Sequence, residues 1–513
     1  MVLGIDLGTS NTVASSLSRD GSPVLIPDAY NKDVQLTPSI ALIEGKKAYA
    51  GNFAENLYES LPDKQIISYF KRSFGTQEPV YFDDYKNAWF SETVASLVLK
   101  KVKYDAELYL PDGFKQAVIT VPAHYNDVQR KSVIEAARLA DLELSAIIEE
   151  PVATALFYSS YNKKIDEEII LIYDFGGGTF DLTLITKTGN QLNVIAKDGV
   201  NKLGGKEFDE IVHNAIRENY ETAFGHHFPT DKLTRNRIQK IAETIKIELN
   251  DAETPRDISR WIMVGRDAFE ATFSYATYAN KANQLIAKTE TAVNRCLRSL
   301  GMQFTDINKI VLIGGTSSSK LVYNFWKEKV SPKQDLIYHQ PLSSVAKGAA
   351  LYAASFDKGG SGGNITPIDL KSVSTYNIGL SFVNNGDCNS NSKRQIDLLI
   401  HRNTPLPVSS KKVYKINPLH TDFVNIELCQ FWDPLEDVQK LGTIKAGPFF
   451  MMSEFFLEVM VENRLNGTIS IKLKNADNGR DIKFEFIRKE SNHKYDYQQQ
   501  KSLVDGIYLN NYL

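Results

Sequence analysis

The chain has 513 residues, 42% of them hydrophobic and 24% charged, with a net charge of −3. That length implies two or more domains with sizeable cores, and the near-neutral balance argues against nucleic acid as the main partner. No basic-then-apolar leader opens the sequence and no apolar run approaches the roughly 18 residues of a membrane helix, while three cysteines, Cys296, Cys388 and Cys429, are odd in number and lack metal-type spacing; a cytoplasmic protein without disulfides is expected.

In chain order, Leu3 to Asn11 reads Leu-Gly-Ile-Asp-Leu-Gly-Thr-Ser-Asn. An apolar strand carries one carboxylate, Asp6, then a glycine turn at Gly8 followed by Thr9, Ser10 and Asn11, and a second strand runs Val13 to Leu17. Backbone N–H groups in such a turn converge on a phosphate while the carboxylate faces a hydrated Mg²⁺. An ordinary glycine hairpin has the same local look. Ala41 to Ala50 reads as an edge strand, and Lys64 to Gly75 carries Lys71, on its own a solvated lysine. Ser91 to Tyr104 has helical periodicity, Gln116 to Val121 is a buried strand ending at Pro122, and Asn126 to Leu139 is a helix, followed by Ile147 to Pro151 with Glu150. That alternation is what an α/β layer demands.

The second half repeats the plan. Ile170 to Asp181 reads Ile-Leu-Ile-Tyr-Asp-Phe-Gly-Gly-Gly-Thr-Phe-Asp, with Asp174 as the strand carboxylate, Gly176, Gly177, Gly178 and Thr179 in the turn, and a return strand from Leu182. Both units are strand-turn-strand, so neither is a Walker loop, which opens a helix. Two facing copies would clamp one polyphosphate. A strand near Leu192 to Lys197 precedes Gly204 and Gly205, which open a helix from Phe208 to Phe224 and either receive phosphate or pack closely. The helix from Asp231 to Leu249 leads Glu243, Lys246 and Asn250 along one face. Asp267 to Leu300 reads as a long, bent helical region, Lys309 to Thr316 as a strand entering Gly314 and Gly315, and Val345 to Ala353 as a small-residue helix suited to close approach.

At Gly359-Gly360-Ser361-Gly362-Gly363 the composition breaks into a flexible linker. Short alternating strands follow: Ser374 to Phe382, Gln395 to His401, Val413 to Ile416, Val424 to Gln430, Phe455 to Glu462, Thr468 to Lys474 and Ile482 to Arg488. Turns at Asn384-Asn385-Gly386, Asn466-Gly467 and Asn478-Gly479 mark an antiparallel sandwich. From Ser491 the tail is polar and rich in Tyr and Gln, with room for a few helical turns. The domain boundaries are therefore placed at 1–356, a linker at 357–372, the sandwich at 373–490 and a tail at 491–513.

Gly-Ile-Asp-Leu-Gly-Thr-Ser-Asn, Thr-Val-Pro-Ala-His-Tyr-Asn-Asp, Glu-Glu-Pro-Val-Ala-Thr-Ala-Leu and Tyr-Asp-Phe-Gly-Gly-Gly-Thr-Phe-Asp, in this order and spacing, resemble the seventy-kilodalton heat-shock chaperone family. The resemblance covers Met1 to roughly Ala354, and more loosely the sandwich, through Leu399 to Pro407 and Val424 to Gln430. It implies a duplicated, two-lobed, actin-like α/β ATPase domain followed by an all-β peptide-binding domain, with ATP or ADP and Mg²⁺ as cofactors. Asp6 and Asp174 would hold the metal through water. Gly8, Thr9, Ser10, Asn11, Gly176 to Thr179, Gly204 and Gly205 would hold phosphates. Lys71 would orient the attacking water, with Glu150, Asp181 and Thr179 beside it. Glu243, Lys246, Asn250, Gly314, Gly315 and Ser318 fall on the ribose and base side. Arg130 and Pro122 match the pair that relays nucleotide state to the second domain. In the sandwich, Phe382, Val383, Tyr414, Asn417, Val424 and Ile426 align around a groove for extended peptide, with plain core packing the competing reading for Val424 and Ile426.

Four departures lie away from the phosphates: Ser318 stands where the family commonly stacks an arginine on the base, Gln340-Pro341-Leu342-Ser343 replaces an Asn-Pro-Asp-Glu segment, and Lys206 and Asn250 replace a glutamate and a serine. The linker Ile365-Thr366-Pro367-Ile368-Asp369-Leu370 replaces a leucine run, and Pro367 is expected to weaken its docking as an added strand. The helical lid of full-length relatives has no counterpart here, so clients would exchange fast. The resulting expectation is an ATP-hydrolysing, chaperone-like protein binding polypeptide clients, with co-chaperones as further partners. The alternatives are an adaptor for one dedicated partner and, less favoured, a phosphotransferase on the same fold.

Overall fold

The structure is a computed structural model that describes residues 1–60, 65–161, 167–189, 191–200, 202–251, 255–338, 340, 342–356, 369–382, 396–417, 423–432, 438–449, 454–487 and 495–509. The Gly359 to Gly363 linker, the Asn384-Asn385-Gly386 turn, Pro341, Pro367, Val383 and Cys388 lie outside the described residues.

Two sheets carry the first part of the chain. In one, the strands stand in the order Leu144–Glu149, Gln116–Val121, Val2–Leu7, Asn11–Leu17 and Pro23–Leu25. In the other the order is Asp335–Ile337, Lys309–Ile313, Glu168–Phe175, Phe180–Thr188 and Gln191–Val200. Both run parallel, parallel, antiparallel, antiparallel. The two predicted hairpins therefore occupy the same place in matching sheets. Their strands are apolar almost throughout because both faces are covered.

Between the sheets lie the helices Glu150–Tyr161 and Ser344–Ala354. The small residues of the second permit this: a Cβ on Gly348 would run into the carbonyl of Ala153, and one on Gly4 into the backbone at Ala350. Asn126 caps the helix Asp127–Leu139 through a reciprocal pair with Gln129, which sets where that helix starts.

One expected element is corrected. Asp267–Phe273 is a strand, paired antiparallel with Ile258–Val264, and the helix begins only at Tyr275–Ser299. Phe269, Ala271 and Phe273 are buried while Ala268, Glu270 and Thr272 are exposed, a period of two that the helical reading overran.

The sandwich has one sheet in the order Asp397–Ile400, Asn377–Phe382, Val424–Phe431, Gln439–Ala446, Phe484–Ile487, facing Val408–Ile416, Phe455–Asn463 and Ile469–Asn475. The strand Gln439–Ala446 lies outside the alternating segments that the sequence pattern predicts. Gly467 and Gly479 turn with φ of +74° and +71°, as the Asn-Gly pairs predict.

Three features join the sandwich to the sheets. Asp369–Lys371 adds as a parallel strand beside Gln191–Val200, so the linker docks despite the expectation from Pro367; the paired residues lie beyond the proline, where every backbone N–H is present. Sandwich side chains meet the segment Pro122 to Lys131: Gln430 accepts from the Asp127 amide at 3.1 Å, Asp127 accepts from the Ile469 amide at 2.7 Å, and Thr375 donates to the Ala123 carbonyl at 3.0 Å. The tail then turns away from the sandwich altogether. Its helix Tyr497–Gly506 packs on the helices Ser91–Tyr109 and Asp127–Leu139, and Tyr508–Leu509 pairs in parallel with Lys47–Ala50.

Candidate functional site

A cavity of about 360 Å³ opens where the two hairpins face each other, lined by Asp6, Gly8, Thr9, Ser10, Asn11, Lys71, Glu150, Asp174, Gly176, Gly177 and Thr179 among others. The turns are in close contact. A Cβ on Gly177 would strike the Ser10 hydroxyl, and one on Gly178 would sit 2.8 Å from Arg72 Nε and 3.0 Å from Thr9. Gly204 lies against Gly176 to Gly178 so tightly that its Cβ would come within 2.6 Å of the Gly178 nitrogen. Glycine is needed at these positions for approach, which leaves the backbone N–H groups of the turns near the cavity.

Four carboxylates crowd one cation. Asp6 stands next to the last residue of the first strand and accepts from Thr120 at 2.9 Å; burial and the nearby Glu150 push its carboxyl up to about 7, with Lys71 and Thr120 opposing. Asp174 is raised well above the usual carboxylate range by burial and by Glu150, Asp181 and Asp6. Lys71, 3% exposed, sits in the short 3₁₀ turn Phe70–Ser73 and donates to Glu150 at 2.8 Å. Burial alone would lower its pKa, but Glu150, Tyr125 and Asp6 together hold it above the ordinary lysine range. The lysine that sequence left ambiguous is therefore a buried, charged member of the site.

Negative charge exceeds positive at this point, which is the donor set a hydrated dication relieves. Among the described residues no three acidic, histidine or cysteine side chains converge closely enough to hold a metal ion directly.

The other end of the cavity is lined by Glu243, Lys246, Asn250, Gly314, Gly315 and Ser318. Lys246 is tied to Asp209 at 2.8 Å, and burial pushes Asp209 up to about 6 in spite of that lysine. Asn250 accepts from Tyr278 and Ser319. Gly314 turns with φ of +84° directly over the Asp174 carboxylate. Thr316 holds this loop to the glycine hairpin by donating to the Gly176 carbonyl at 2.8 Å.

Two residues of the site escaped sequence reasoning. His124 Nδ1 lies 2.5 Å from Asp181 Oδ1, and its backbone N–H donates to the same oxygen at 3.2 Å; the motif around it was visible, the imidazole's target was not. Arg72 reaches across to donate to the Gly178 carbonyl at 2.8 Å and to Glu207 at 3.2 and 3.3 Å. Its place beside Lys71 was the available signal.

Arg130 is 2% exposed and fully engaged. It donates to Glu149 at 2.8 Å, to the carbonyls of Tyr125 and Ala123 at 2.9 and 3.2 Å, and to the carbonyl of Asn466 in the sandwich at 2.9 Å. A Cβ on Gly467 would come within 2.8 Å of the guanidinium. Of the groove residues, Phe382 and Tyr414 meet with ring centres 4.4 Å apart and planes tilted by 57°, Val424 packs partly buried against the sandwich core, and Asn417 reaches Glu454 at 3.4 Å. Ile426 is completely buried in the sandwich core, the place the core reading assigned it; Val383 is outside the described residues.

Comparison with known proteins gives two findings. A family model described as "Hsp70 protein" matches residues 2–443. The chain is 32% identical over 420 residues to the protein named chaperone protein DnaK from Thermosipho melanesiensis, an alignment covering 80% of this chain and 67% of the relative.

Proposed function

The chain belongs to the Hsp70 family, a family of ATP-dependent chaperones, and on that premise we propose that residues 1–356 form a two-lobed, actin-like domain that hydrolyses ATP slowly and thereby modulates binding of polypeptide segments by the sandwich at 373–490. The single observation that carries the reading is the facing pair of glycine hairpins with Lys71 buried among Asp6, Glu150 and Asp174. Mg²⁺, held through water by Asp6 and Asp174, would neutralise phosphate charge when bound. Thr9, Ser10 and the backbone of Gly176 to Thr179 cradle the phosphates. Lys71, fixed by Glu150, orients a water toward the terminal phosphate, and Asp181, steadied by His124, accepts a hydrogen bond from it. Client segments would enter beside Phe382 and Tyr414.

A second reading is favoured by one observation. The sandwich is tied to the first domain both by the docked strand Asp369–Lys371 before it and by the tail after it. A domain held from both ends moves less on nucleotide exchange, which suits an adaptor for one dedicated partner better than general chaperoning. Among the described residues no helix is long and apolar enough to cross a membrane.

The test is nucleotide binding and turnover with Mg²⁺ and with chelator, for the wild type and Lys71→Ala, alongside binding of an unfolded client in each nucleotide state. Turnover that needs metal and is lost in Lys71→Ala supports hydrolysis at this site. Turnover indifferent to both removes it. A broad set of unfolded clients supports the chaperone reading, and one partner alone the adaptor.

A further inference from the structure

We infer that the tail at 495–509 is a positioning element for Lys71, acting through Gln500 and Tyr508. While the tail is seated, the turn that carries the lysine is held in place for turnover; once it is displaced, the protein binds ATP but hydrolyses it slowly. The inference rests on the nucleotide reading above.

The turn that carries Lys71 does not hold itself. Phe70–Ser73 is a single 3₁₀ turn, a form with poorer hydrogen-bond geometry than the α-helix. Tyr69, which precedes it, lies in the left-handed region with φ of +54°, and no side chain caps the turn there. A tyrosine in that region is strained and persists only where its surroundings fix it. Within the turn the Arg72 amide donates to the Tyr69 carbonyl at 3.0 Å and the Phe74 amide to the Lys71 carbonyl at 3.3 Å. The rest of the support comes from outside.

Three supports reach the turn, and the tail lies on each. The strand Ile66–Ile67 leads into it and pairs with Ala41–Glu44, which pairs with Lys47–Ala50, and Tyr508–Leu509 completes the edge of that sheet. Strands this short depend on their neighbours for stability. The helix Ser91–Tyr109 starts against the turn, where Ser91 donates to the Ser73 carbonyl at 3.2 Å; Gln500 grips the same stretch through the Ala88 carbonyl and the Thr93 hydroxyl. Tyr125 donates to the carbonyl of Lys71 itself at 3.2 Å, just ahead of the helix Asp127–Leu139. The tail helix packs on that helix too, with the Arg138 guanidinium 4.6 Å from the Tyr497 ring centre. Phe70 and Phe74, on either side of the lysine, belong to the same core on which Leu503, Ile507 and Leu509 pack.

A segment that only covered apolar surface would have no use for a buried amide. Gln500 is buried with both ends of its amide satisfied, which fixes the tail helix in one register, because any slip strands a polar group. Binding and turnover should respond differently to its loss. The glycine hairpins that receive the phosphates take their geometry from pairing within their own sheets. Lys71 is fixed at its ammonium by Glu150, but its backbone is only as well placed as the supports around it, and a misplacement of about 1 Å costs on the order of 100-fold in rate.

The test is single-turnover hydrolysis of Mg-ATP by the full chain, with Kd and binding stoichiometry from titration, for the wild type, Val504→Asp, Tyr508→Pro and Lys501→Ala. Val504→Asp puts a carboxylate at a position 1% exposed and should unseat the tail helix. Tyr508→Pro removes only the N–H that donates to the Lys46 carbonyl. Both are expected to lower the rate per bound ATP at least about tenfold, with Kd within about threefold of wild type. Both should also speed hydrogen exchange at the amides of Arg72 and Phe74. Lys501→Ala, on the same helix but with half-exposed partners, should keep the wild-type values. A fall of less than about tenfold in whichever of the two variants folds overturns the inference, as does unchanged exchange at Arg72 and Phe74. A smaller fraction of ATP-binding protein with an unchanged rate per bound ATP makes the tail a cover, and overturns it as well. Wild-type protein that fails to bind ATP, or binds it without turnover, overturns the nucleotide reading itself, and the inference with it.

Discussion

Replacing Gln500 with alanine is expected to free the tail while the rest of the protein stays folded. Gln500 is 1% exposed and is satisfied at both ends of its amide: Oε1 accepts from Thr93 Oγ1 at 2.5 Å, and Nε2 donates to the Ala88 carbonyl at 3.1 Å. Two hydrogen bonds at about 1 kcal/mol net, with about 1 kcal/mol more for the Ala88 carbonyl left short of a donor, sum to roughly 3 kcal/mol. That lowers the tail's docking equilibrium about 100-fold. Val504, buried beside it, and the edge contact of Tyr495 on Phe90 do not depend on the amide, so the loss is partial rather than total. The readout is amide hydrogen exchange at 507–509, where the Tyr508 N–H donates to the Lys46 carbonyl at 2.9 Å. Exchange there should accelerate without a matching change in the sheets, since local opening need not pass through global unfolding. Lys501→Ala is the control: its partners Asp141 and Asp505 are 56% and 50% exposed, so the change should cost no more than about 1 kcal/mol and barely alter exchange. Equal exchange in wild type and Gln500→Ala, or acceleration spread over the whole chain, would refute the reasoning.

Gly348→Ala should destabilise the protein by about 3 kcal/mol or more, or prevent folding, because its Cβ meets the Ala153 backbone and not a movable side chain; a denaturation midpoint within error of wild type would contradict this. Arg130→Met should cost roughly 3 kcal/mol by removing one of the two cations paired with buried Glu149, leaving Lys197 alone with it, and by taking the donor from the carbonyls of Ala123, Tyr125 and Asn466, and it should also raise hydrogen exchange in the docked strand Asp369–Lys371 if the sandwich lets go; melting and exchange together separate the two effects. In metal-free protein, Asp6 is raised from 3.8 to about 7. The stabilisation from such a raised carboxylate is complete below its unfolded pKa and is lost as pH rises through about 7. Asp174 shifts the same way. The metal-free melting temperature should therefore fall between about pH 4 and pH 7, and Asp6→Asn should flatten that slope; a slope unchanged in the variant would assign it to other groups.

Much of the fold was legible because local chemistry and global position agree. The hairpins at Asp6 and Asp174 advertise themselves by an apolar strand, one carboxylate and glycines, and the contacts at Gly177, Gly178 and Gly204 explain why nothing larger stands there. The Asn126 cap and the small-residue helix at Ser344–Ala354 were readable for the same reason. What was lost depends on partners distant in sequence. Gln439–Ala446 hides its alternation behind a register shift opposite Leu428 and Cys429 and a glycine, Gly442, pressed by the Phe486 ring. The tail looks polar because Gln500 is satisfied by groups about 400 residues away and because Leu503, Ile507 and Leu509 pack on a core built by the opening segments. Arg72 and His124 likewise acquire their meaning only from Glu207, Gly178 and Asp181 across the cleft. In sequence they are an arginine beside a lysine and a histidine after an alanine.

The junction at Glu149 and Glu150 ties these levels together. A strand ends at Glu149 and a helix begins at Glu150, so neighbours in sequence face different surroundings. Glu150 accepts from Lys71 in the cavity, while Glu149 accepts from Arg130 and Lys197 at the sandwich interface, each at 2.8 Å. Lys197 goes on to donate to Ser372 Oγ and the Val373 carbonyl, and Arg130 to the Asn466 carbonyl. His124 repeats the arrangement: its ring and N–H hold Asp181, and its carbonyl accepts from Tyr376 of the sandwich. Both routes run through one peptide unit or one residue, all of it buried, and each ends on groups of the sandwich, so the carboxylates of the cavity and the sandwich share their nearest neighbours.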